Sequence, residues 1–197
     1  MTFARARRRS LAFALVAAAS LVAGLLAAPA EAARPRSATY ADGSGDAEHF
    51  AEARQLPAVY RTLGEIHEVK VFTSGGRLHL RMNLDVVLHD DANFRQDNLV
   101  SFMVGKKYFY ALFGTDQRAR LELLDGTRKC GRKPRQTFSE ATDRFEFSVP
   151  LSCLPAGKLL KPYVAGATVY RTNGGDQTKI ARDTMSHMND RGWIRIR

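Results

Sequence analysis

The most telling absences in this sequence are those of cysteine and of long apolar runs. Only two of the 197 residues are cysteine, and neither lies before Cys130. A lipid-modified cysteine near the N-terminus is therefore excluded. No apolar run of membrane-spanning length follows the first 32 residues. We therefore expect no transmembrane segment in the rest of the chain, which should be soluble or peripherally attached.

The sequence also lacks the short motifs that mark common catalytic sites. No G-x-S-x-G elbow, H-E-x-x-H helix, P-loop or C-x-x-C pair occurs. His67 and His79 have acidic neighbours, but strand alternation places both on a solvent-exposed face. These absences favour a binding protein without catalytic activity. The alternative is an extracellular hydrolase that acts on glycans or phosphate esters.

What is present begins with an export signal. Four arginines lie within the first ten residues, an uncharged apolar run covers residues 11–29, and residues 30–32 read Ala-Glu-Ala. This order predicts a secretory signal peptide over residues 1–32, a mature N-terminus at Ala33 and a secreted, extracellular protein. An uncleaved membrane anchor is the alternative, because the apolar run approaches membrane-spanning length. The route of export stays open.

The remaining chain reads as a series of short strands. Residues 33–38 are polar and are predicted to be a disordered tail. From Leu78 to Val86 the apolar residues occupy every second position, and Ser74-Gly75-Gly76 predicts the turn of a hairpin that covers residues 66–88. Further strand-like segments follow at residues 99–104, 108–113, 118–124, 145–149, 163–170 and 193–196.

These segments predict an all-β protein. About seven to nine short strands with turn signals between them, and almost no helical periodicity, indicate an antiparallel β-sandwich of jelly-roll type. A single β-barrel is the alternative. The length after processing suits one domain, which we place at residues 39–197. The sequence leaves the oligomeric state open.

The two cysteines, Cys130 and Cys153, predict a disulfide. An isolated even pair in an exported domain is expected to be bridged in an oxidising compartment. Two buried thiols are the alternative. A zinc site is not expected, because no companion ligands occur at the required spacing.

The order of these parts resembles a known pattern. Residues 42–46 match D-x-x-G-D, a hairpin of alternating valines and leucines follows, and residues 149–154 match V-P-x-x-C-L. In this order the chain resembles a widespread class of small exported bacterial β-sandwich proteins. More distantly it is similar to family-nine carbohydrate-binding modules and to DOMON domains. The resemblance implies a sandwich fold and a glycan as ligand, although Trp193 alone cannot supply the two tryptophans that hold a sugar in those modules.

The glycine-rich segment after Tyr40 is a candidate cation site. Asp42, Ser44, Asp46 and Glu48 place oxygen ligands on alternate residues, which suits Ca²⁺ because this ion prefers several oxygens on a flexible backbone. The EF-hand pattern is not matched. The alternative is a solvated turn stabilised by aspartate side chains, with no cofactor at all.

Positive charge is concentrated in the second half of the chain. Residues 33–104 carry 8 basic and 10 acidic residues, whereas residues 105–197 carry 18 and 9. Five basic residues surround Cys130 and predict a binding patch for an anionic polymer, formed through field and counterion release. The alternative is a set of solvated loops, and no nucleic-acid partner is expected. The patch consists of Arg128, Lys129, Arg132, Lys133 and Arg135.

Together these observations predict a secreted, non-catalytic binding protein of the cell envelope or the extracellular space. Its partner is predicted to be a polymer, either a glycan or an anionic polymer.

Overall fold

Strand pairing divides the computed structural model into two antiparallel sheets. The structure describes residues 35–43, 45–50, 62–86, 93–115, 117–157, 159–173 and 176–197. These contain thirteen strands: β1 (Ser37–Ala41), β2 (Glu48–His49), β3 (Ile66–Ser74), β4 (Arg77–Leu84), β5 (Phe94–Val104), β6 (Lys107–Gly114), β7 (Arg120–Leu123), β8 (Arg128–Lys129), β9 (Arg135–Ser139), β10 (Arg144–Pro150), β11 (Leu159–Asn173), β12 (Asp176–Met185) and β13 (Ile194–Arg195).

The two sheets differ in size. Sheet A has the order β1-β3-β4-β10-β9, and sheet B has the order β2-β12-β11-β5-β6-β7-β8, with β13 paired to β11. The strands β8 and β9 therefore end the two sheets, although they are neighbours in sequence. Short 3-10 turns follow β9, β10 and β12, at Glu140–Thr142, Leu151–Cys153 and His187–Arg191.

The predicted hairpin forms the centre of sheet A. Its strands β3 and β4 pair with Val71 opposite Leu80, and the turn is made by Gly75 and Gly76. Both glycines have positive φ, 54° and 71°, which explains the glycine pair at this turn. The alternating residues Leu78, Leu80, Met82 and Leu84 are all buried. Alternation along β4 thus places one face of sheet A in the core.

Aromatic side chains join the inner faces of the sheets. Phe113 on β6 lies 5.7 Å from Phe147 and 6.2 Å from Phe145, both on β10, measured between ring centroids. All three are fully buried, and they belong to one cluster that contains residues of both sheets. Packing of this kind is typical of a β-sandwich.

The structure confirms the predicted antiparallel all-β fold with one disulfide. The thirteen strands exceed the predicted seven to nine, and three of them, β2, β8 and β13, have only two residues each. β1 begins at Ser37 rather than Thr39, so Ser37 and Ala38 are not part of the predicted disordered tail. Their backbone pairs with Phe72 and Val71 at the edge of sheet A.

Pro35–Arg197 forms one compact unit. The predicted signal peptide, residues 1–32, lies outside the described residues. In the part of the chain that is described, no helix is long and apolar enough to cross a membrane.

Candidate functional site

A cleft of about 780 Å³ opens between the last strands of the two sheets. It is lined by residues 117–121, which include part of β7, by β8, and by residues between Gly131 and Gln136. The charged side chains of this lining are all cationic, within the described part of the chain. They are Arg118, Arg120, Arg128, Lys129, Arg132 and Arg135.

Most of the predicted basic patch lines this cleft, but Lys133 does not. Lys133 is exposed, and its backbone oxygen accepts a hydrogen bond from Nη2 of Arg77 at 3.1 Å. The chain turns at this point, since the backbone N–H of Lys133 also donates to the oxygen of Cys130 at 3.0 Å. The patch residues that line the cleft are Arg128, Lys129, Arg132 and Arg135.

Sequence reasoning missed Arg118 and Arg120 as members of the cleft. Arg120 begins β7, and the register of the β7-β8 hairpin places Glu122 opposite Arg128. The turn signal at Asp125-Gly126 could have revealed this neighbourhood, because a hairpin there brings residues on both of its sides together.

The amide of Gln136, which lines the cleft, joins the two sheets. Its Nε2 donates to the backbone oxygens of Gly114 at 2.7 Å and Gln117 at 2.9 Å, and its Oε1 accepts from the Gly114 N–H at 3.1 Å. Gln136 lies on β9 of sheet A, whereas Gly114 ends β6 of sheet B. These three hydrogen bonds hold the walls of the cleft at a set separation.

The positive charge of the cleft is only partly compensated. A single carboxylate oxygen, Oε1 of Glu122, lies 3.8 Å from Nε of Arg120 and 3.5 Å from Nε of Arg128. Within the described residues, the other cations of the cleft form no ion pair within 4.0 Å. These are Arg118, Lys129, Arg132 and Arg135.

Arg77 adds to the positive charge near Arg135. Burial, and then the charge of Arg135, lower the pKa of Arg77 below its usual value. Arg77 cannot easily turn away, because its Nη2 also donates to the backbone oxygen of Ser148 at 3.0 Å. A guanidinium remains protonated in proteins despite such a shift, so an anion that enters the cleft relieves repulsion.

The predicted disulfide between Cys130 and Cys153 is confirmed, with 5.6 Å between their Cα atoms. Cys130 directly follows β8, and Cys153 ends the 3-10 turn that follows β10. The bridge therefore ties the edge of sheet B to sheet A beside the cleft. It also fixes the loop that carries Arg132.

A second cluster, of acidic residues, includes part of the predicted calcium site. Carboxylate oxygens of Asp42, Asp46 and Asp183 lie within 4.8 Å of one another. Asp183 comes from β12, more than a hundred residues along the chain, and the sequence pattern did not indicate it. Glu65 shapes the same loop, since its carboxylate accepts hydrogen bonds from the Gly45 and Ala47 N–H groups.

Glu48, another predicted ligand, does not lie in this cluster. Glu48 lies on β2 and pairs with Arg182, whose Nη2 is 2.9 Å from its Oε2. Strand pairing explains this, because the register sets Glu48 opposite Arg182. Ser44 lies outside the described residues.

The acidic cluster is partly buried, and its carboxylates repel one another. Burial raises the pKa of Asp183, and the charges of Asp42 and Asp46 raise it further. Hydrogen bonds from the Ile66 and Thr184 N–H groups, at 2.7 Å and 2.6 Å, lower this pKa but do not cancel the rise. Burial likewise raises the pKa of Asp42. Oδ2 of Asp42 is buried and has no hydrogen-bond partner among the described residues. An uncompensated carboxylate oxygen of this kind suits a hard cation such as Ca²⁺.

A comparison with known protein families finds no match to this chain, and neither does a comparison with curated proteins. The similarity to carbohydrate-binding modules and DOMON domains therefore stays a prediction from the motifs at residues 42–46 and 149–154.

Proposed function

We propose that this protein is a non-catalytic binding protein of the cell envelope or the extracellular space, and that it binds an anionic polymer in the cationic cleft. The observation that carries the proposal is the convergence of six cationic side chains from two separate segments on one opening. Guanidinium groups match the geometry of carboxylate, sulfate and phosphate, because they donate two parallel hydrogen bonds.

The chemistry of the lining supports binding more than catalysis. Arginine and lysine side chains stay protonated near pH 7, so they donate hydrogen bonds but do not act as general bases. The polar side chains between the cations are the amides of Gln117 and Gln136, which do not titrate. Groups of these kinds hold an anion in place without supplying a proton acceptor.

A polymer suits the cleft better than a single small anion. The six cations line an open cavity of about 780 Å³, which is larger than one small anion needs. Binding along such a surface depends on charge density and on the release of counterions, and needs no reading of sequence. The predicted signal peptide would bring the cleft to polymers outside the cell, where a disulfide also persists.

The test is a binding titration with inorganic polyphosphate at several salt concentrations. We expect the affinity to fall steeply as salt rises, because each neutralised anion releases condensed counterions. The double substitution R132S/R135S should weaken binding at least about tenfold at low salt, a change of about 1.4 kcal/mol. Both side chains are exposed, so the melting temperature should hardly change.

The control removes the same number of charges elsewhere. Lys106 and Lys107 are exposed at the turn between β5 and β6 and do not line the cleft. The variant K106S/K107S should bind polyphosphate within about twofold of the parent, because surface charges far from the ligand are screened by salt. Equal losses in the two double variants would show that net charge, and not the cleft, attracts the polymer.

A further inference from the structure

A second cavity of about 370 Å³ lies next to the cationic cleft, on the face of sheet B that points away from the core. We call it the groove. Gln117 and Arg120 line both the groove and the cleft. The two cavities therefore adjoin at these two residues, and an extended ligand that passes Gln117 and Arg120 would contact both.

The groove crosses the sheet at right angles to its strands. Strand register places one residue from each of five strands in a row that ends at Arg120. Because neighbouring strands lie about 4.8 Å apart, the row extends roughly 19 Å. In order from β12 to β7, the row consists of Thr184, Gly166, Leu99, Leu112 and Arg120.

The middle of the groove is lined by apolar side chains and contains a depression. Leu99, Leu112 and Val164 are half-buried, so part of each side chain faces solvent. Gly166 has no side chain, which leaves a depression between Thr184 and Leu99. Thr168 adds a hydroxyl group beside this depression.

Two arginines that line the groove, Arg95 and Arg182, are paired with carboxylates. Arg95 donates to both carboxylate oxygens of Asp97, from Nε at 3.0 Å and from Nη2 at 2.8 Å. Arg182 pairs with Glu48 at 2.9 Å. The groove thus combines paired arginines, hydroxyl groups, apolar carbons and the carboxylate of Asp183, whereas the adjacent cleft carries an excess of positive charge.

We propose that the ligand is an anionic polysaccharide, whose charged groups bind in the cleft while its sugar rings lie in the groove. This proposal rests on the binding function proposed above. A sugar ring has an apolar C–H face and a rim of hydroxyl groups. The apolar face matches the leucines of the groove, and the hydroxyl groups match its threonines and paired arginines. A polymer of phosphate alone would fill the cleft but would gain little from an apolar groove.

The experiment blocks the groove without changing the cleft. A Cβ atom added to Gly166 would have the backbone oxygen of Asp183 as its nearest neighbour at 3.5 Å, an ordinary van der Waals contact. The variant G166I should therefore fold and fill the depression, since a β-branched residue suits a strand. T184I, at an exposed position in the same row, provides a second block that does not touch the core.

The matched control introduces the same side chain outside the groove. Thr178 is exposed on β12 and does not line either cavity, so T178I tests the effect of an added isoleucine alone. The probes are hyaluronan, which carries carboxylates on sugar rings, uncharged dextran, and inorganic polyphosphate. Each is titrated against the full exported protein at low salt.

We expect the parent to bind hyaluronan and G166I to bind it at least tenfold more weakly. T184I should also lose affinity, T178I should not, and all three variants should bind polyphosphate as the parent does. The proposal is overturned if G166I and T184I bind hyaluronan as tightly as the parent does. Failure of the parent to bind any polyanion would instead overturn the binding function itself, so the two failures are distinguishable.

Discussion

On the outer face of sheet A, the residue Glu146 links β10 to β4 through its charge. Its Oε1 lies 2.8 Å from Nδ1 of His79, and its Oε2 accepts hydrogen bonds from Nε and Nη2 of Arg81 at 3.0 Å and 2.8 Å. The ring of Phe72 stacks on His79 at 4.8 Å and has the Arg81 guanidinium at 5.2 Å. Sequence alternation correctly placed His79 on this face, and the partners follow from the register of β4 with β10.

The substitution E146Q should destabilise the protein near pH 7. Burial raises the pKa of Glu146, but the hydrogen bonds from His79 and Arg81 outweigh it and lower the pKa below 4.5, the usual value. A lowered carboxylate pKa contributes stability that is present above the unfolded pKa and is lost as the pH falls through the folded pKa. We expect a loss of about 1 to 2 kcal/mol at pH 7.

Thermal unfolding of the parent and of E146Q between pH 7 and pH 3 checks this prediction. The difference in melting temperature should shrink below pH 4.5 and vanish in stronger acid. E48Q is the control, because the Glu48–Arg182 pair is more than half exposed on both sides and should contribute little. A difference that does not depend on pH would mean that packing, and not charge, makes Glu146 important.

At the scale of elements, the loop between β1 and β2 meets β12. The loop supplies Asp42 and Asp46, and β12 supplies Asp183, so three carboxylates gather where two sheets adjoin. The N–H groups of this loop are held by Glu65, which is buried and lies just before β3. The three carboxylates repel one another at this distance, and a bound cation would remove the repulsion.

We therefore retain the prediction that Ca²⁺ binds at this loop. Addition of Ca²⁺ at millimolar concentration should raise the melting temperature of the parent, because an ion that binds only the folded state stabilises it. The substitution D46N should abolish most of this rise. E48Q should leave it unchanged, since Glu48 pairs with Arg182 outside the cluster. An identical response to Ca²⁺ in the parent and D46N would contradict the prediction.

At the scale of the whole molecule, the disulfide adds a covalent cross-link between the sheets to those made by the backbone. It closes a loop with a sequence separation of 23 residues, from the edge of sheet B to the end of β10. In the chain-entropy model, closing a loop of this length stabilises a protein by about 3 kcal/mol. The same bridge restrains the segment that carries Arg128, Lys129 and Arg132.

The double substitution C130S/C153S should lower the free energy of unfolding by about 3 kcal/mol, measured by urea denaturation. Polyphosphate binding should also weaken under conditions where the variant is still folded, because the cationic loop loses its anchor. A folded variant that binds as the parent does would show that hydrogen bonds such as those of Gln136 hold the cleft without the bridge.

The sequence by itself determined the fold class and much of the strand pattern. Alternation along β4 and β10 identified their buried faces, and the glycine pair marked the hairpin turn, because both signals act over a few neighbouring residues. The cysteine pair and its predicted compartment likewise sufficed to predict the bridge.

The same local reasoning missed β12, for a structural reason. A register shift opposite Val169 and Tyr170 leaves Ile180 and Ala181 both buried, which breaks the alternation. The next residue that faces inward is Asp183, which is buried. In a sequence, an aspartate predicts an exposed position instead. A strand whose inner face contains a bulge and a carboxylate has no period-two signature.

Only the tertiary structure decided which charges act together. Lys133 lies within the basic segment of the sequence yet outside the cleft, whereas Arg118 and Arg120 join the cleft from the neighbouring strand. Likewise Asp183 replaces Glu48 beside Asp42 and Asp46. Distances between side chains from different strands depend on register and on the packing of two sheets, which are long-range properties. Composition determined the sign of the charge, and the fold determined the place where that charge can hold a ligand.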